Sequence, residues 1–273
     1  MYLGFRKFRY GITSRIPEER DVITVRLLAC TWVALLTKRG GDVVEETLYA
    51  NVTKDIVILE FQRSDGTLVT QLSDFTNEVL VLRALVLGEE ERGQNQYQVL
   101  CFILADQTSD LIPSEAISKL RQKNPGALRV PEEDRGKEAF DFNLQMSPSE
   151  GGMLSPLLED FCSEAQHSTY LREQDWIGWQ EQRAHNEMLE MPTVLNHFLN
   201  ETPPRCDGVK DWSQPCVCHF YVQIPWYPCG LKYCQGKDSS GKVQSYRCGI
   251  RTCKRTYAFT YGVFQKQQCL WDE

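Results

Sequence analysis

The chain has 273 residues, of which 42% are hydrophobic, so it can form one large or two modest globular domains and is not wholly disordered. Its net charge is −7, yet residues 205–273 hold ten Lys/Arg and five Asp/Glu, which joins an acidic body to a mildly basic tail. Such a tail permits an anionic partner, such as a glycosaminoglycan or an acidic protein face. So small an excess of basic residues is, however, more often an ordinary solvated surface.

An uncharged run of eleven residues, Leu27 to Thr37, lies near the N-terminus. It is too short for a membrane span, which needs about 20 apolar residues, so no transmembrane segment is expected. Its length suits the hydrophobic part of a signal peptide, but acidic residues precede it and no clean cleavage site follows. Alternatively, Val33 to Thr37 begins the first strand of the fold. Residues 1–37 are therefore assigned to a poorly defined segment that could be a signal-peptide remnant.

The next part of the chain, residues 42–104, has the composition of β-strands. Asp65-Gly66 lies between two apolar runs and predicts a hairpin turn, because this dipeptide tolerates positive φ at low cost. Sequential hairpins favour an antiparallel meander. The predicted strands are Val43–Ala50, Ile56–Phe61, Leu68–Leu72, Val79–Leu87 and Tyr97–Leu104.

Two helices are predicted after these strands. Ser114 is a candidate N-cap for a helix over residues 115–123, which Asn124-Pro125 would end. After a charged loop at about residues 130–152, Ser155-Pro156 marks the start of a second helix. Its apolar residues recur at spacings of three and four, which places Leu158, Phe161, Cys162 and Ala165 on one face.

Residues 175–199 fit either a helical hairpin or a loose connector, and Glu201-Thr-Pro-Pro204 marks a boundary. This organisation gives a first domain at 38–172, a connector at 173–204 and a cysteine-rich domain at 205–273.

Eight of the eleven cysteines fall in the last sixty-eight residues. An even number at this density indicates disulfide bonds and folding in an oxidising compartment. A zinc site is the alternative, but Cys216-x-Cys218 and two Cys-x4-Cys pairs do not match the usual ligand spacing, and no Cys-x2-Cys is present. We therefore expect disulfides and no metal, with the pairing open, among Cys206, Cys216, Cys218, Cys229, Cys234, Cys248, Cys253 and Cys269.

No motif for catalysis or for a cofactor is present. The sequence lacks Gly-x-Ser-x-Gly, a phosphate-binding loop and Gly-x-Gly-x-x-Gly, and its four histidines have no partner at a recognisable spacing. We therefore expect a protein that is not an enzyme and that has no catalytic residues and no cofactor.

Outside the tail, one aspartate and two cysteines are candidate site residues. Asp74 is either a turn residue that accepts backbone N–H groups or a partly buried carboxylate that makes the fold sensitive to pH. Cys101 and Cys162 are either two buried thiols or a disulfide that pins the second helix to the sheet. Asn51-Val-Thr53 and Asn200-Glu-Thr202 are candidate glycosylation sites if the chain is secreted.

Several long blocks resemble the out at first family of secreted developmental proteins after about Gly40. They are Asp65-Gly-Thr-Leu68, Asp74-Phe75, Arg83-Ala-Leu-Val-Leu-Gly-Glu89, Leu120-Arg-Gln-Lys-Asn-Pro125, Trp226-Tyr-Pro-Cys-Gly-Leu-Lys-Tyr-Cys234, Cys248-Gly-Ile-Arg-Thr-Cys253 and Gln268-Cys-Leu-Trp-Asp-Glu273.

The family's first domain is similar to BRICHOS, an antiparallel sheet flanked by two helices with one disulfide and one aspartate. This resemblance implies that Cys101 pairs with Cys162 and that Asp74 is the BRICHOS-type aspartate. The expected fold class is therefore α+β, a BRICHOS-like domain followed by a small disulfide-rich module.

The sequence and the resemblance together predict a secreted, non-enzymatic glycoprotein that acts in development by binding an extracellular protein whose identity is open. An anionic glycan is a further candidate partner for the basic tail, and no nucleic-acid partner is expected. Two alternatives are a BRICHOS-type chaperone for β-prone clients and an intracellular zinc-binding transcriptional regulator.

Overall fold

The structure is a computed structural model that describes residues 30–39, 42–92, 94–106, 111–120, 128–183, 193–194, 203–237 and 241–269. Strands in two β-sheets make up most of the described chain. The larger sheet is built around an antiparallel meander in which each strand pairs with the next. Its strands are β1 (Cys30–Arg39), β2 (Asp42–Asn51), β3 (Ile56–Gln62), β4 (Leu68–Asp74), β5 (Val79–Leu87) and β6 (Tyr97–Ala105).

Short strands extend both edges of this larger sheet. Strand β7 (Leu128–Arg129) pairs with β1, and β10 (Thr169–Leu171) pairs with β6, in both cases in parallel. Strand β9 (Leu144–Gln145) lies antiparallel between β10 and β11 (Thr193–Val194).

The smaller sheet consists of three long strands. A hairpin of β12 (Cys216–Lys237) and β13 (Val243–Val263) is joined in parallel, along β13, by β8 (Glu133–Phe142). The strand order is β12-β13-β8. The tail therefore pairs directly with a strand from the middle of the chain.

The helical segments are short. They are α1 (Ser114–Ser118), α2 (Leu158–Phe161), α3 (Glu173–Arg183) and 3₁₀ turns at Glu90–Arg92, Pro148–Met153, Cys206–Gly208 and Lys266–Gln268.

The hairpin between β3 and β4 forms at the predicted Asp-Gly turn. Gly66 has φ +87°, a left-handed conformation that glycine adopts without a steric penalty. The Asp65 carboxylate accepts the backbone N–H of Thr67 at 2.9 Å, and the backbone of Arg63 bonds to that of Thr67 across the turn. The dipeptide thus sets the register of these two strands.

The larger sheet buries side chains on both of its faces, which explains why β5 and β6 are apolar at consecutive positions. Along β6, Leu100, Phe102 and Leu104 point into one core, whereas Val99, Cys101 and Ile103 point into the other. Successive side chains of a strand leave on opposite faces, so a strand with both faces covered needs apolar residues throughout.

Different parts of the chain cover these two faces. One face packs against the smaller sheet, where Phe102 contacts Phe259 with ring centroids 4.4 Å apart and Tyr261 at 5.2 Å. The other face packs against residues 144–179, including Trp176 and Trp179 of α3. The tail and the meander therefore share one apolar core.

The predicted fold class, α+β with a BRICHOS-like antiparallel sheet flanked by two helices and followed by a small disulfide-rich module, is wrong. The described chain is mainly β with two sheets, and the helices α1 and α2 contain five and four residues. The physical reason is that the tail supplies long strands with alternating apolar residues, and these cover a face of the meander.

The individual predictions fared differently. The five strands between residues 43 and 104 are confirmed within one to two residues at their ends, and β1 covers the alternative in which a strand includes residues 33–37. The prediction of a charged loop at residues 130–152 is wrong, because strand β8 occupies the first half of this segment. Ser114 is not an N-cap: its hydroxyl donates to the Asp55 carboxylate, and Pro113 holds the cap position. The predicted end of that helix lies outside the described residues.

Candidate binding surface on the distal ribbon

The structure places one disulfide on the face of the meander opposite the tail. Cys101 on β6 is joined to Cys162, which follows α2, and both residues are fully buried. The backbone N–H of Cys101 also donates to the carbonyl oxygen of Ser168 at 2.9 Å, next to the parallel pairing of Cys101 with Thr169 of β10. This disulfide fastens the segment with α2 to the sheet.

Four further disulfides join the eight tail cysteines in pairs. Cys206 bonds to Cys216, Cys218 to Cys269, Cys229 to Cys253 and Cys234 to Cys248. The last two are successive cross-links between the antiparallel strands β12 and β13. The repeated Cys-x4-Cys spacing was a sequence signal for this arrangement, because equal spacing on two antiparallel strands lets the inner and outer cysteines meet.

Three of these sulfurs lie close together. The Sγ atoms of Cys206, Cys218 and Cys269 are within 4.8 Å of one another, because two disulfides pack side by side in the core. The same sulfurs are the ones that a zinc site would use if the bonds were reduced, so this cluster is the place where the zinc alternative can be tested.

Asp74 ends β4, and it is both buried and a hydrogen-bond acceptor in the following turn. Its side chain is 2% exposed, and its carboxylate accepts the backbone N–H of Asn77 at 3.1 Å, as a turn residue does. It also accepts the side-chain amide of Asn77 at 2.8 Å and the hydroxyl of Ser155 at 2.6 Å. Ser155 begins the segment with α2, so Asp74 ties that segment to the sheet; the sequence had placed Ser155 only at the start of the second helix.

A buried acidic residue that the sequence analysis missed lies at the junction of the two sheets. Glu46 on β2 has no exposed surface, and neither of its carboxylate oxygens has a hydrogen-bond partner of normal geometry among the described residues. Burial raises its pKa well above the ordinary value of 4.5, and the nearby backbone of Trp226 acts in the opposite direction. Trp226 lies at an irregularity of β12, between Ile224 and Tyr227, where the strand is out of register with β13. Glu46 occupies an apparent surface position in a Val-Val-Glu-Glu run, so only the packing reveals it.

The two candidate glycosylation sites differ in what the structure describes. Asn51 lies at the end of β2, partly exposed, and its side-chain oxygen accepts the backbone N–H of Lys54 at 3.1 Å. The sequon residues Val52 and Thr53 are exposed in the following turn. Asn200 lies outside the described residues.

The far half of the β12–β13 hairpin is largely exposed, unlike the near half, which is buried in the core. We call residues 230–237 and 241–251 the distal ribbon. Tyr233 and Tyr246 are 60% and 55% exposed, and every described residue from 241 to 249 is exposed. The disulfide Cys234–Cys248 cross-links the ribbon. A two-stranded ribbon in water is marginal by itself, so this bond accounts for its order.

The ribbon carries positive charge on an acidic protein. Residues 230–251 contain five Lys/Arg and one Asp, whereas the whole chain has a net charge of −7. At the base of the ribbon, Lys232 pairs with Glu132 at 2.6 Å and Arg251 with Glu133 at 3.9 Å. Exposed aromatic rings beside cations on a rigid element are a combination typical of binding surfaces.

Comparison with known proteins assigns the chain to a family. The family model described as "Out at first" matches residues 32–179, and the model "Out at first, C-terminal" matches residues 205–273. The chain belongs to the Out at first family. The two matched regions are the meander with its covering segment and the tail, which share a core here.

Relatives from two flies support this membership. The chain is 46% identical over 245 residues to the Out at first protein of Drosophila melanogaster, a match that covers 86% of this chain and 50% of that protein. It is 46% identical over 244 residues to the Out at first protein of Drosophila virilis, covering 86% and 80% respectively. The chain thus spans about half the length of the first relative. No solved structure matches the chain.

In the part of the chain that the structure describes, no helix is long and apolar enough to cross a bilayer.

Proposed function

We propose that this chain is a secreted, non-enzymatic glycoprotein that acts in development by binding an extracellular partner, and that the distal ribbon is its binding element. The observation that carries the proposal is the ribbon itself: a cross-linked, basic, aromatic surface that is exposed on both faces. Residues in such a position add little to folding, whereas an ordered exposed surface reduces the entropy lost on binding.

Secretion is supported by the disulfides. Ten cysteines form five bonds, and cross-links of this kind persist in oxidising compartments and are rare in the cytosol. Asn51 supports the glycoprotein part of the proposal, because its sequon lies in an exposed turn where a glycan would have room.

Expression of the natural gene product in animal cells tests secretion. We expect the protein in the culture medium, with the five disulfides identified by peptide mapping and with a glycan on Asn51 that Asn51→Gln removes. A protein that stays inside the cell with titratable thiols would overturn this part of the proposal.

A shortened ribbon tests the binding element. Replacing residues 232–249 by Asn-Gly joins the paired residues Leu231 and Ile250 through a two-residue turn and removes both cysteines of one disulfide together. We expect the intact protein to bind the surface of animal cells and the shortened protein to lose that binding, while thermal unfolding shows that it is folded. Equal binding by the two proteins would contradict the assignment of the ribbon.

A further inference from the structure

We infer that one face of the distal ribbon binds a sulfated glycosaminoglycan, and this inference rests on the proposed function of the ribbon. The register of the hairpin defines the face. Tyr233 is opposite Arg247, Gln235 is opposite Ser245, and Lys237 is opposite Val243. Directly opposed residues of an antiparallel pair lie on the same side of the sheet, so these six side chains share one face.

This face is the more exposed side of β12. Tyr233, Gln235 and Lys237 are exposed, whereas the intervening residues 232, 234 and 236 are partly covered. The opposite face carries the disulfide Cys234–Cys248 and the ring of Tyr246. The two sides of the ribbon are therefore chemically different, and they can be tested separately.

The spacing of the cations suits an extended anion. Arg247 lies beside Tyr233, and Lys237 lies four residues further along β12, which is about 13 Å in a strand. A chain of sulfated sugars presents anionic groups along its length, so it can contact both ends of the face. A single small anion would reach one of them.

The side chains between the cations favour a sugar over an acidic protein. Gln235 and Ser245 offer amide and hydroxyl groups for hydrogen bonds to sugar hydroxyls, and the ring of Tyr233 offers a flat apolar surface for a sugar ring. Protein interfaces are instead centred on buried clusters of large apolar side chains, and Val243 is the single aliphatic residue on this face.

Charge complementarity supports the same occupant. Residues 230–251 carry four net positive charges on a chain whose total is −7. Lys232 and Arg251 pair with Glu132 and Glu133, so Lys237 and Arg247 on the proposed face are the cations that a polyanion would contact.

The test uses the full chain and an immobilised heparin-derived oligosaccharide, with affinity measured over a range of salt concentrations. We expect Lys237→Gln with Arg247→Gln to weaken binding about tenfold and to reduce the slope against salt by roughly one to two, because each cation releases counterions from the polyanion. Lys54→Gln with Lys210→Gln removes the same charge from exposed positions outside the distal ribbon and should leave the affinity near that of the wild type.

A second pair of variants separates the two faces. Tyr233→Ala should weaken binding about fivefold with no change in the salt slope, because it removes an uncharged contact. Tyr246→Ala removes a ring of similar exposure from the opposite face and should leave binding unchanged. Equal losses for the two variants would overturn the assignment of the face.

Two further measurements separate this inference from the proposed function. Polyglutamate or a desulfated oligosaccharide that binds as tightly as the sulfated one would overturn the ligand class. If enzymatic removal of sulfated glycans leaves cell binding intact while the ribbon-shortened protein loses it, the ribbon is the binding element but its ligand is not a glycosaminoglycan. If the shortened protein binds cells as the wild type does, the proposed function itself fails.

Discussion

The two halves of the β12–β13 hairpin have the same backbone structure but different surroundings. In the near half, Phe220, Val222 and Ile224 alternate inward, and with Phe259 and Tyr261 they form the core against the meander. In the distal ribbon the side chains are exposed on both faces, and Cys234–Cys248 cross-links the strands. The same secondary structure is therefore stabilised by a packed core and disulfides in the near half, and by the Cys234–Cys248 bond without a packed core in the distal ribbon.

The side chains of the near half are therefore needed for folding, whereas those of the distal ribbon are available to contact a partner. Substitutions in the near half should mainly change the free energy of unfolding. Substitutions in the ribbon should mainly change binding, with little effect on stability.

The largest effect is expected for an aromatic residue of the near half. Phe259 is 1% exposed and stacks on Phe102, so Phe259→Ala should lower the free energy of unfolding by about 3–5 kcal/mol through a lost transfer energy and a cavity. Tyr246→Ala in the ribbon should change it by less than about 0.5 kcal/mol. Urea unfolding followed by fluorescence measures both, and similar losses would show that the two halves are not distinct.

The disulfides should show the same contrast at a smaller scale. Cys218–Cys269 closes a separation of 51 residues, and replacing both cysteines by serine should lower the free energy of unfolding by about 4 kcal/mol in the chain-entropy model. Cys234–Cys248 lies inside the loop that Cys229–Cys253 already closes, so it closes only a short additional loop. Replacing both of its cysteines by serine should lower the free energy of unfolding by about 2–3 kcal/mol. Denaturant unfolding of both double variants checks the order; a larger loss from the ribbon bond would contradict it.

The zinc alternative is tested on the native protein, in which we expect disulfides and no stoichiometric zinc. A native protein with stoichiometric zinc and eight free tail thiols, measured by metal analysis and thiol titration, would replace the disulfide description of Cys206, Cys218 and Cys269.

The next effect concerns the attachment of the α2 segment on the opposite side of the meander. Asp74→Asn replaces an acceptor of two N–H groups and one hydroxyl by an amide, which leaves a buried donor facing other donors. We expect a loss of about 1–3 kcal/mol. The matched control is Asp211→Asn, an exposed turn residue that accepts the backbone N–H of Ser213, for which we expect nearly wild-type stability. Equal stabilities of the two variants would mean that the Ser155 contact contributes nothing.

The effect that depends on pH concerns Glu46, which lies beside Trp226 at the irregularity of β12. Because burial raises the pKa of Glu46 in the folded protein, the folded state binds its proton more tightly than the unfolded state does. Its contribution to stability is therefore fully present below the ordinary pKa of 4.5 and is lost as pH rises through the higher folded value.

Glu46→Gln mimics the protonated group, so the variant should gain stability over the wild type as pH rises and match it in acid. The difference in melting temperature between the two proteins, measured by thermal unfolding from pH 4 to pH 8, tests this expectation. A constant difference across the range would show that Glu46 does not titrate between the folded and unfolded states.

The sequence by itself determined the parts of the fold that depend on neighbouring residues. The strands of the meander were predictable because β-branched and apolar runs are separated by turns such as Asp65-Gly66, and both signals act within a few residues. The disulfide character of the tail was predictable because cysteine number and density reflect the compartment in which a chain folds.

Tertiary structure alone decided the rest. Strand β8 is charged and exposed over most of its length, and it is a strand because its backbone pairs with β13, more than a hundred residues later in the chain. The burial of Glu46 and the contact of Ser155 with Asp74 also join distant segments. Local patterns do not encode such contacts, because which face of the sheet the tail covers depends on packing over the whole chain, and that packing left the distal ribbon exposed.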